Sequence, residues 1–406
     1  MKDSIIKVQD FIRPPLQNQQ AIAEKVAIIL QDIARNGDKA IDKWSKKIDG
    51  KAAQVIQLKS FADYNLEPEL AQAIQTAYKR IKAFCQFQIK DLKNDSFADG
   101  IGEFAYIYQP IERIGAYIPG GNHPLISTAL MTLTPAQVAG CPVRIACSPS
   151  THPALLGAAS LAGATTFLQI GGAQAIAALS YGFKKMAAVD MIVGPGNAYV
   201  NTAKSQVQHR TKIDTLAGPS ELLIYANKLQ NPDWIILDAL AQAEHDENAI
   251  SIIVSTSKQL LENLYSCTNA SIAGEALLKN QQILFILAEN AAQAITLIND
   301  YAPVHLLICD DIDSQLFSNY GSLFIGENSA VAFGDYCAGP NHTLPTNGAG
   351  KSSGGLSVHQ FLKVLSTQKV SDHGRAELAK TAAILAQAEG LTFHRQSVEI
   401  RGNVLS

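Results

Sequence analysis

The residues able to do chemistry fall into two groups. The first is a set of glycine-rich loops: Pro119-Gly120-Gly121, Gly171-Gly172, Gly194-Pro195-Gly196-Asn197 and Ala217-Gly218-Pro219-Ser220. Glycine after a parallel strand lets the backbone approach a ligand held outside the strand's carboxyl end. Tight strand-to-helix turns also need glycine, which would account for any one loop alone. Four in succession point to a site. Neither familiar nucleotide motif is intact, however. The dinucleotide fingerprint G-x-G-x-x-G fails at Tyr199, and a phosphate loop ending in Gly350-Lys351-Ser352 fails at Pro345.

The second group is a scatter of nitrogen and oxygen donors. Gln242 and His245 are three apart on a predicted helix, so both side chains project from one face. Asp335 and His342 lie in a predicted loop rich in glycine and proline. His394 follows the last long predicted helix, in Glu389-Gly-Leu-Thr-Phe-His394. Donors of these types suit Zn²⁺, with one position open if the metal is catalytic. Cys337 is a rival ligand beside Asp335, although lone cysteines in a reducing compartment are mostly small core residues. Taken singly, each histidine reads as well as a satisfied, partly buried side chain. Spacing does not join positions 242, 335 and 394 into one centre.

The elements that must position these groups change character along the chain. Ala21–Trp44 and Leu66–Lys90 carry apolar residues at three- and four-residue spacing and are predicted helices. From Ile111 onward β-prone runs alternate with Ala-rich helical ones. The predicted strands are Arg113–Ile118, Val143–Cys147, Thr166–Ile170 and Val189–Val193, then Glu221–Tyr225, Ala249–Ser255, Ile283–Leu287 and His305–Cys309. That alternation implies right-handed crossovers and parallel sheets. After Gly355 the pattern is helical again, over Val358–Thr367 and Arg375–Ala388. The expected class is α/β, with two Rossmann-like units.

Composition narrows the function classes. A length of 406 residues with 47% apolar and 17% charged residues gives a globular chain of two or three domains. A formal charge of −3 and 7% aromatics leave no basic field and no stacking array, which argues against nucleic acid. Six cysteines with no C-x-x-C pair imply a reducing compartment. Charges at Lys2, Asp3, Lys7, Asp10 and Arg13 leave no signal-peptide core, and no apolar run would span a membrane. The expected location is the cytoplasm.

Together the loops resemble one family, histidinol dehydrogenase, the zinc- and NAD-dependent enzyme of the last steps of histidine synthesis. The matching stretches are Ile114–Gly121, Gly171–Ile176, Val193–Val200, Ala217–Glu221, Gln242–His245, Gly334–Tyr336, Gly339–Thr346 and Glu389–His394. They run in order over nearly the whole chain. The resemblance implies that Gln242, His245, Asp335 and His394 bind zinc, and that Tyr117, Gln174 and Asn197 contact NAD. It further implies that Ser220, His342 and Glu389 join the metal ligands and His305 in binding substrate, with His305 as the acid–base group. The implied fold has two incomplete Rossmann-like parallel-sheet domains with helical N- and C-terminal segments. The expected boundaries are an N-terminal segment 1–20, a first domain of 21–117 plus 222–356, a second of 118–221, and a segment 357–406 reaching the partner of a homodimer. Glu389 and His394 would then complete the partner's site.

One departure concerns the reaction itself. In the family a glutamate precedes the acid–base histidine and activates the water that attacks the aldehyde; here the stretch is Tyr301-Ala-Pro-Val304-His305. Valine accepts no proton, so the second oxidation is in question while the first is not. A smaller departure, Gly121-Asn-His-Pro124, puts His123 near the expected cofactor side. Three readings compete: a histidinol dehydrogenase with a slow or rerouted second step, a paralogous dehydrogenase of another polar alcohol, and a non-catalytic binding protein. The matched donor set and His305 argue against the third. His342 and Glu389 favour the first over the second.

Overall fold

The computed structural model describes residues 5–14, 20–120, 124–216, 218–244 and 246–402. In chain order the strands are β1 (Ile5–Lys7), β2 (Gln54–Ile56), β3 (Asp95–Ala98), β4 (Gly102–Pro110), β5 (Arg113–Tyr117), β6 (Val143–Ser148), β7 (Thr166–Gln169), β8 (Met191–Val193), β9 (Lys212–Ile213), β10 (Glu221–Tyr225), β11 (Ile250–Ser255), β12 (Ile283–Leu287), β13 (His305–Ile308), β14 (Ser322–Ile325) and β15 (Leu362–Val370). They divide between a main unit, Met1–Gln88 with Glu112–Gln360, and a smaller one, Ile89–Ile111 with Phe361–Ser406.

The main unit contains two six-stranded sheets. One runs β2-β7-β6-β5-β8-β9, parallel except for β2, which pairs antiparallel with β7. From β5 the chain steps outward to β6 and β7, then returns to the other side of β5 for β8 and β9. The order therefore reverses between β5 and β8, the place where open parallel sheets take ligands. Burial explains the composition: Ile114, Ala116, Ala146, Phe167, Leu168 and Ile192 are fully buried, as residues covered on both faces must be. The helix Gln20–Asn36 buries Val26, Ile29, Leu30 and Ile33 in one cluster with Ile145, Leu168 and Ile176.

The other sheet is parallel throughout, in the order β1-β12-β11-β10-β13-β14. Arg13 fastens the N-terminal segment to it. Its guanidinium donates to Glu221 Oε1 at 2.5 Å and to the Tyr301 carbonyl at 2.9 Å, and lies 4.2 Å from the centre of the Tyr301 ring. The smaller unit is a three-stranded antiparallel sheet, β15-β4-β3, with the helices Asp372–Ala388 and Thr392–Gly402 packed on each other.

The α/β class holds, and several expected details do not. Residues 21–117 were expected to join 222–356 in one domain. Instead the helices of residues 20–48 and strand β5 lie with β6–β9, because the apolar stripes of those helices pack on that sheet's own helices. β1, expected as a separate N-terminal segment, adds an edge to the sheet of β10–β14. The expected helix Ala21–Trp44 breaks at Gly37, whose φ is +54°, into Gln20–Asn36 and Asp38–Ile48. The expected helix Val358–Thr367 is a single 3₁₀ turn, Val358–Phe361, followed by β15. Its β-branched residues pair with β4 along nine residues, from Leu362 opposite Pro110 to Val370 opposite Gly102.

Candidate active site

The glycine loops lie where the fold calls for them. Three of them follow the carboxyl ends of β5, β7 and β8, in the sheet whose strand order reverses, and the fourth leads into β10. Gly194 has φ +110°, and a Cβ there would fall 2.1 Å from the Tyr117 carbonyl oxygen, so the loop after β8 crowds the end of β5. The three residues implied in NAD contact shape these loops from within. The Tyr117 hydroxyl accepts the Gly172 N–H at 3.2 Å, and burial pushes its pKa well up, so it stays protonated. Gln174 is fully buried and donates Nε2 to Asp49 Oδ2 at 3.2 Å, while its Oε1 is buried without a partner. Asn197 caps the helix Ala198–Val207, its Oδ1 accepting from Tyr199 and Val200 N–H. The orphaned carbonyl of Gln174 and the close-running backbone suit a bound dinucleotide.

Asp49 was missed in the sequence. Its Oδ2 accepts from Gly171 N–H at 3.1 Å as well as from Gln174, tying the loop after β7 to the end of the helix Asp38–Ile48. An aspartate in an Asp-Gly turn after a helix has an ordinary cause, so the sequence held no signal for it.

His305 opens β13 and is 5% exposed. Its Nε2 lies 3.8 Å from Asp335 Oδ1, and its ring centre lies 6.0 Å from that of Phe324. Asp335 sits on a short helix, Val331–Tyr336, where a loop was expected. Gly334 brings that helix close, since a Cβ there would fall 2.6 Å from the Phe324 ring. His342 completes the group. A carbonyl only accepts, so His342 Nδ1 donates to the Asp335 carbonyl at 2.8 Å. Nε2 of the neutral ring then accepts from Thr128 Oγ1 at 3.3 Å. Thr128, also missed, is one of several polar residues in the largely buried helix Ile126–Val138. His305, Asp335 and His342 line one small pocket with Ser322, Phe324 and Asn341.

Gln242 lies on the helix Pro232–Ala243, 2% exposed, with both amide atoms buried and unpartnered. Polar atoms are rarely left in that state without a ligand to satisfy them, which fits a metal donor. One turn earlier, Asp238 is tied to the start of the Asp335 helix: burial raises its pKa to about 6, opposed by a hydrogen bond from the Val331 N–H. The unfolded carboxyl titrates near 3.8, the ordinary value for an aspartate. Native protein therefore binds the proton more tightly, and this favourable contribution is lost as pH rises towards 6. Relative to Asp238→Asn, the wild type should lose stability between roughly pH 4 and 6, by ~3 kcal/mol at most at about 1.4 kcal/mol per pH unit. Denaturant titrations of both proteins across that range check this; a difference that does not change with pH would contradict it.

His245 lies outside the described residues, as do Gly121, His123 and Ala217, and the helix carrying Gln242 ends at Ala243. Glu389 ends the helix Asp372–Ala388 and His394 lies on the helix Thr392–Gly402, not in an unstructured tail; both belong to the smaller unit. Ser220 leads into β10, its carbonyl accepting the Ile250 N–H at 3.1 Å. Among the described residues, no three His, Cys, Asp or Glu side chains meet as a metal cluster.

Comparison with known proteins supplies the family. A sequence profile of histidinol dehydrogenase matches residues 13–402. The histidinol dehydrogenase of Thermus thermophilus is 39% identical over 405 residues, covering 96% of this chain and 97% of that one. That of Mannheimia succiniciproducens is 38% identical over 414 residues, covering 97% and 96%. The crystal structure of the Elizabethkingia anophelis histidinol dehydrogenase superposes with a TM-score of 0.88 at 32% identity, covering 98% of this chain and 96% of that one. Likeness of this extent, in sequence and in fold alike, makes the chain a member of the histidinol dehydrogenase family of oxidoreductases.

Proposed function

We propose that the protein is a zinc- and NAD-dependent dehydrogenase that oxidises L-histidinol through L-histidinaldehyde to L-histidine in histidine biosynthesis, with a slow second oxidation. The observation that carries this reading is the buried His305 with the Asp335 carboxylate 3.8 Å away, in a chain of this family. In this reading Gln242, His245, Asp335 and His394 hold Zn²⁺; Ser220, His342 and Glu389 help to hold the substrate; and Tyr117, Gln174 and Asn197 form the NAD⁺ site. When bound, Zn²⁺ supplies Lewis-acid attraction for the amino and imidazole nitrogens of histidinol. NAD⁺ supplies the hydride acceptor. His305 takes the hydroxyl proton as the carbinol carbon loses hydride, a task suited to imidazole. Its burial against Phe324 keeps bulk water from that transfer.

Supplying histidinol and NAD⁺ and identifying the products tests the reading. Histidinaldehyde should appear first and histidine slowly. Absence of NADH would overturn it, and turnover of another polar alcohol in histidinol's place would favour the paralogous reading, which Val304 alone supports.

The metal assignment makes a separate prediction. Purified protein should carry about one Zn²⁺ per chain, and His245→Ala should lose both metal and activity. Full zinc occupancy with undiminished turnover in that variant would remove His245 from the ligand set.

A homodimer with shared sites is part of this reading, with Glu389 and His394 of the smaller unit completing the partner's site. That unit carries a wealth of exposed apolar side chains: Val364 (61%), Ile384 (59%), Leu385 (58%), Phe393 (83%) and Ile400 (62%). Such surface in one small unit suits burial against a second copy. Mixing a His394→Ala subunit with a His305→Ala subunit should restore part of the activity, because one hybrid site regains every residue. Demonstrated heterodimers with no recovery would show that each site is built within one chain. A cytoplasmic location agrees with all six cysteines being free, and no helix among the described residues is long and apolar enough to cross a membrane.

A further inference from the structure

The loop after β8 is held by a feature that none of the site residues explains. Lys204, on the helix Ala198–Val207, has a fully buried side chain, and it forms an ion pair with Asp214, whose side chain is 1% exposed. The two groups also grip a single residue of the loop. Lys204 Nζ donates to the Gly194 carbonyl at 3.0 Å, and Asp214 Oδ2 accepts the Gly194 N–H at 2.7 Å. Both polar groups of Gly194 are thus fixed from one side. On the other side stands the Tyr117 backbone, which leaves no room even for a Cβ. The rest of the loop is secured in turn: the Gly196 carbonyl accepts Asn201 Nδ2 at 2.5 Å, and Asn197 caps the following helix.

Two charges withdrawn from water are an uneconomical way to stabilise a fold. Apolar residues of similar volume usually do as well or better, and breaking only one partner is strongly destabilising. What an ion pair offers here, and an apolar pair does not, is direction: a donor and an acceptor aimed at one peptide. We propose that Lys204 and Asp214 are positioning residues for the cofactor, fixing the Gly194–Asn197 loop at the reversal between β5 and β8 so that it binds NAD⁺ without rearrangement. The proposal rests on the reading that this loop receives NAD⁺.

The test removes both charges together, so that neither is left buried alone. Lys204→Met/Asp214→Asn keeps an acceptor for the Gly194 N–H; Lys204→Met/Asp214→Leu keeps neither contact. Thermal melts establish that each is folded, and NAD⁺ affinity is then measured by titration, with Asn197→Ala alongside. A loop displaced by a fraction of an ångström should weaken NAD⁺ binding by roughly 10–100-fold, more in the Leu variant than in the Asn variant. The KM for histidinol and kcat at saturating NAD⁺ should stay near wild type, a split that mere loss of stability would not produce. If Asn197→Ala weakens NAD⁺ binding and the folded double variants bind as tightly as wild type, the positioning role is overturned and the cofactor loop stands. If Asn197→Ala is also without effect, the loop assignment falls and the proposal with it. Should neither double variant fold, hydrogen exchange on the wild type decides: a pinned Gly194 amide exchanges as slowly as the core of the helix Ala198–Val207. Faster exchange through local opening would overturn the proposal.

Discussion

Replacing His305 by asparagine is expected to lower kcat for histidinol oxidation by about 10²–10⁴-fold, the usual worth of a positioned general base. The expectation follows from where the ring sits. It is buried at the start of β13, beside the Asp335 carboxylate and the Phe324 ring, and bulk water has little access to stand in for it. His305 is not among the residues assigned to zinc, so the variant should keep its metal and bind NAD⁺ as the wild type does. A loss in kcat at unchanged zinc content and NAD⁺ affinity separates a role in proton transfer from collapse of the site. The residual rate should rise at high pH, where hydroxide can take the proton. A variant within tenfold of wild type at neutral pH would mean that another group accepts the proton.

What could be read in the sequence, and what could not, divides along physical lines. Buried parallel strands are legible because each must be apolar on both faces: Glu221–Tyr225 and Ile283–Leu287 fall where expected. The glycine loops are legible because a strand end that must admit a ligand tolerates little else. β3, β4 and β15 were not. Their sheet packs few of its side chains, and long-range pairing, which no local period records, decides their conformation. The donor set illustrates a different limit. Gln242, His305 and the Asp335–His342 stretch come from three separate segments, and each residue alone has an ordinary explanation. Only the fold brings His305 to Asp335, and only burial shows that the Gln242 amide lacks partners. Thr128, Asp49 and the Lys204–Asp214 pair were invisible for the same reason, since supporting side chains carry no motif of their own.

Val304 carries the other large expectation. It is 3% exposed and adjoins His305, at the position where the proposed reading expects a glutamate to activate water. The register that sets Leu222 opposite His305 brings Glu221 beside Val304, so a carboxylate is near. One oxygen of that carboxylate is already engaged, and the other, Oε2, is buried. Arg13 holds Glu221 Oε1 at 2.5 Å and the Tyr301 hydroxyl donates to the same oxygen at 3.2 Å. Glu221 also anchors the N-terminal segment and is only 5% exposed, so it is poorly placed to serve water. Aldehyde oxidation should therefore proceed without general-base help, and Val304→Glu should raise its rate by ~10²–10⁴-fold while leaving histidinol oxidation nearly unchanged. Stopped-flow measurement of NADH from supplied histidinaldehyde gives the rate directly. An unchanged or lower rate in Val304→Glu would show that another base, or a hydroxide held at the metal, already activates the water. Glu221→Gln then distinguishes these: a further loss of the aldehyde step alone, with the protein still folded, would name Glu221 as the replacement, and retention would leave the metal-held hydroxide.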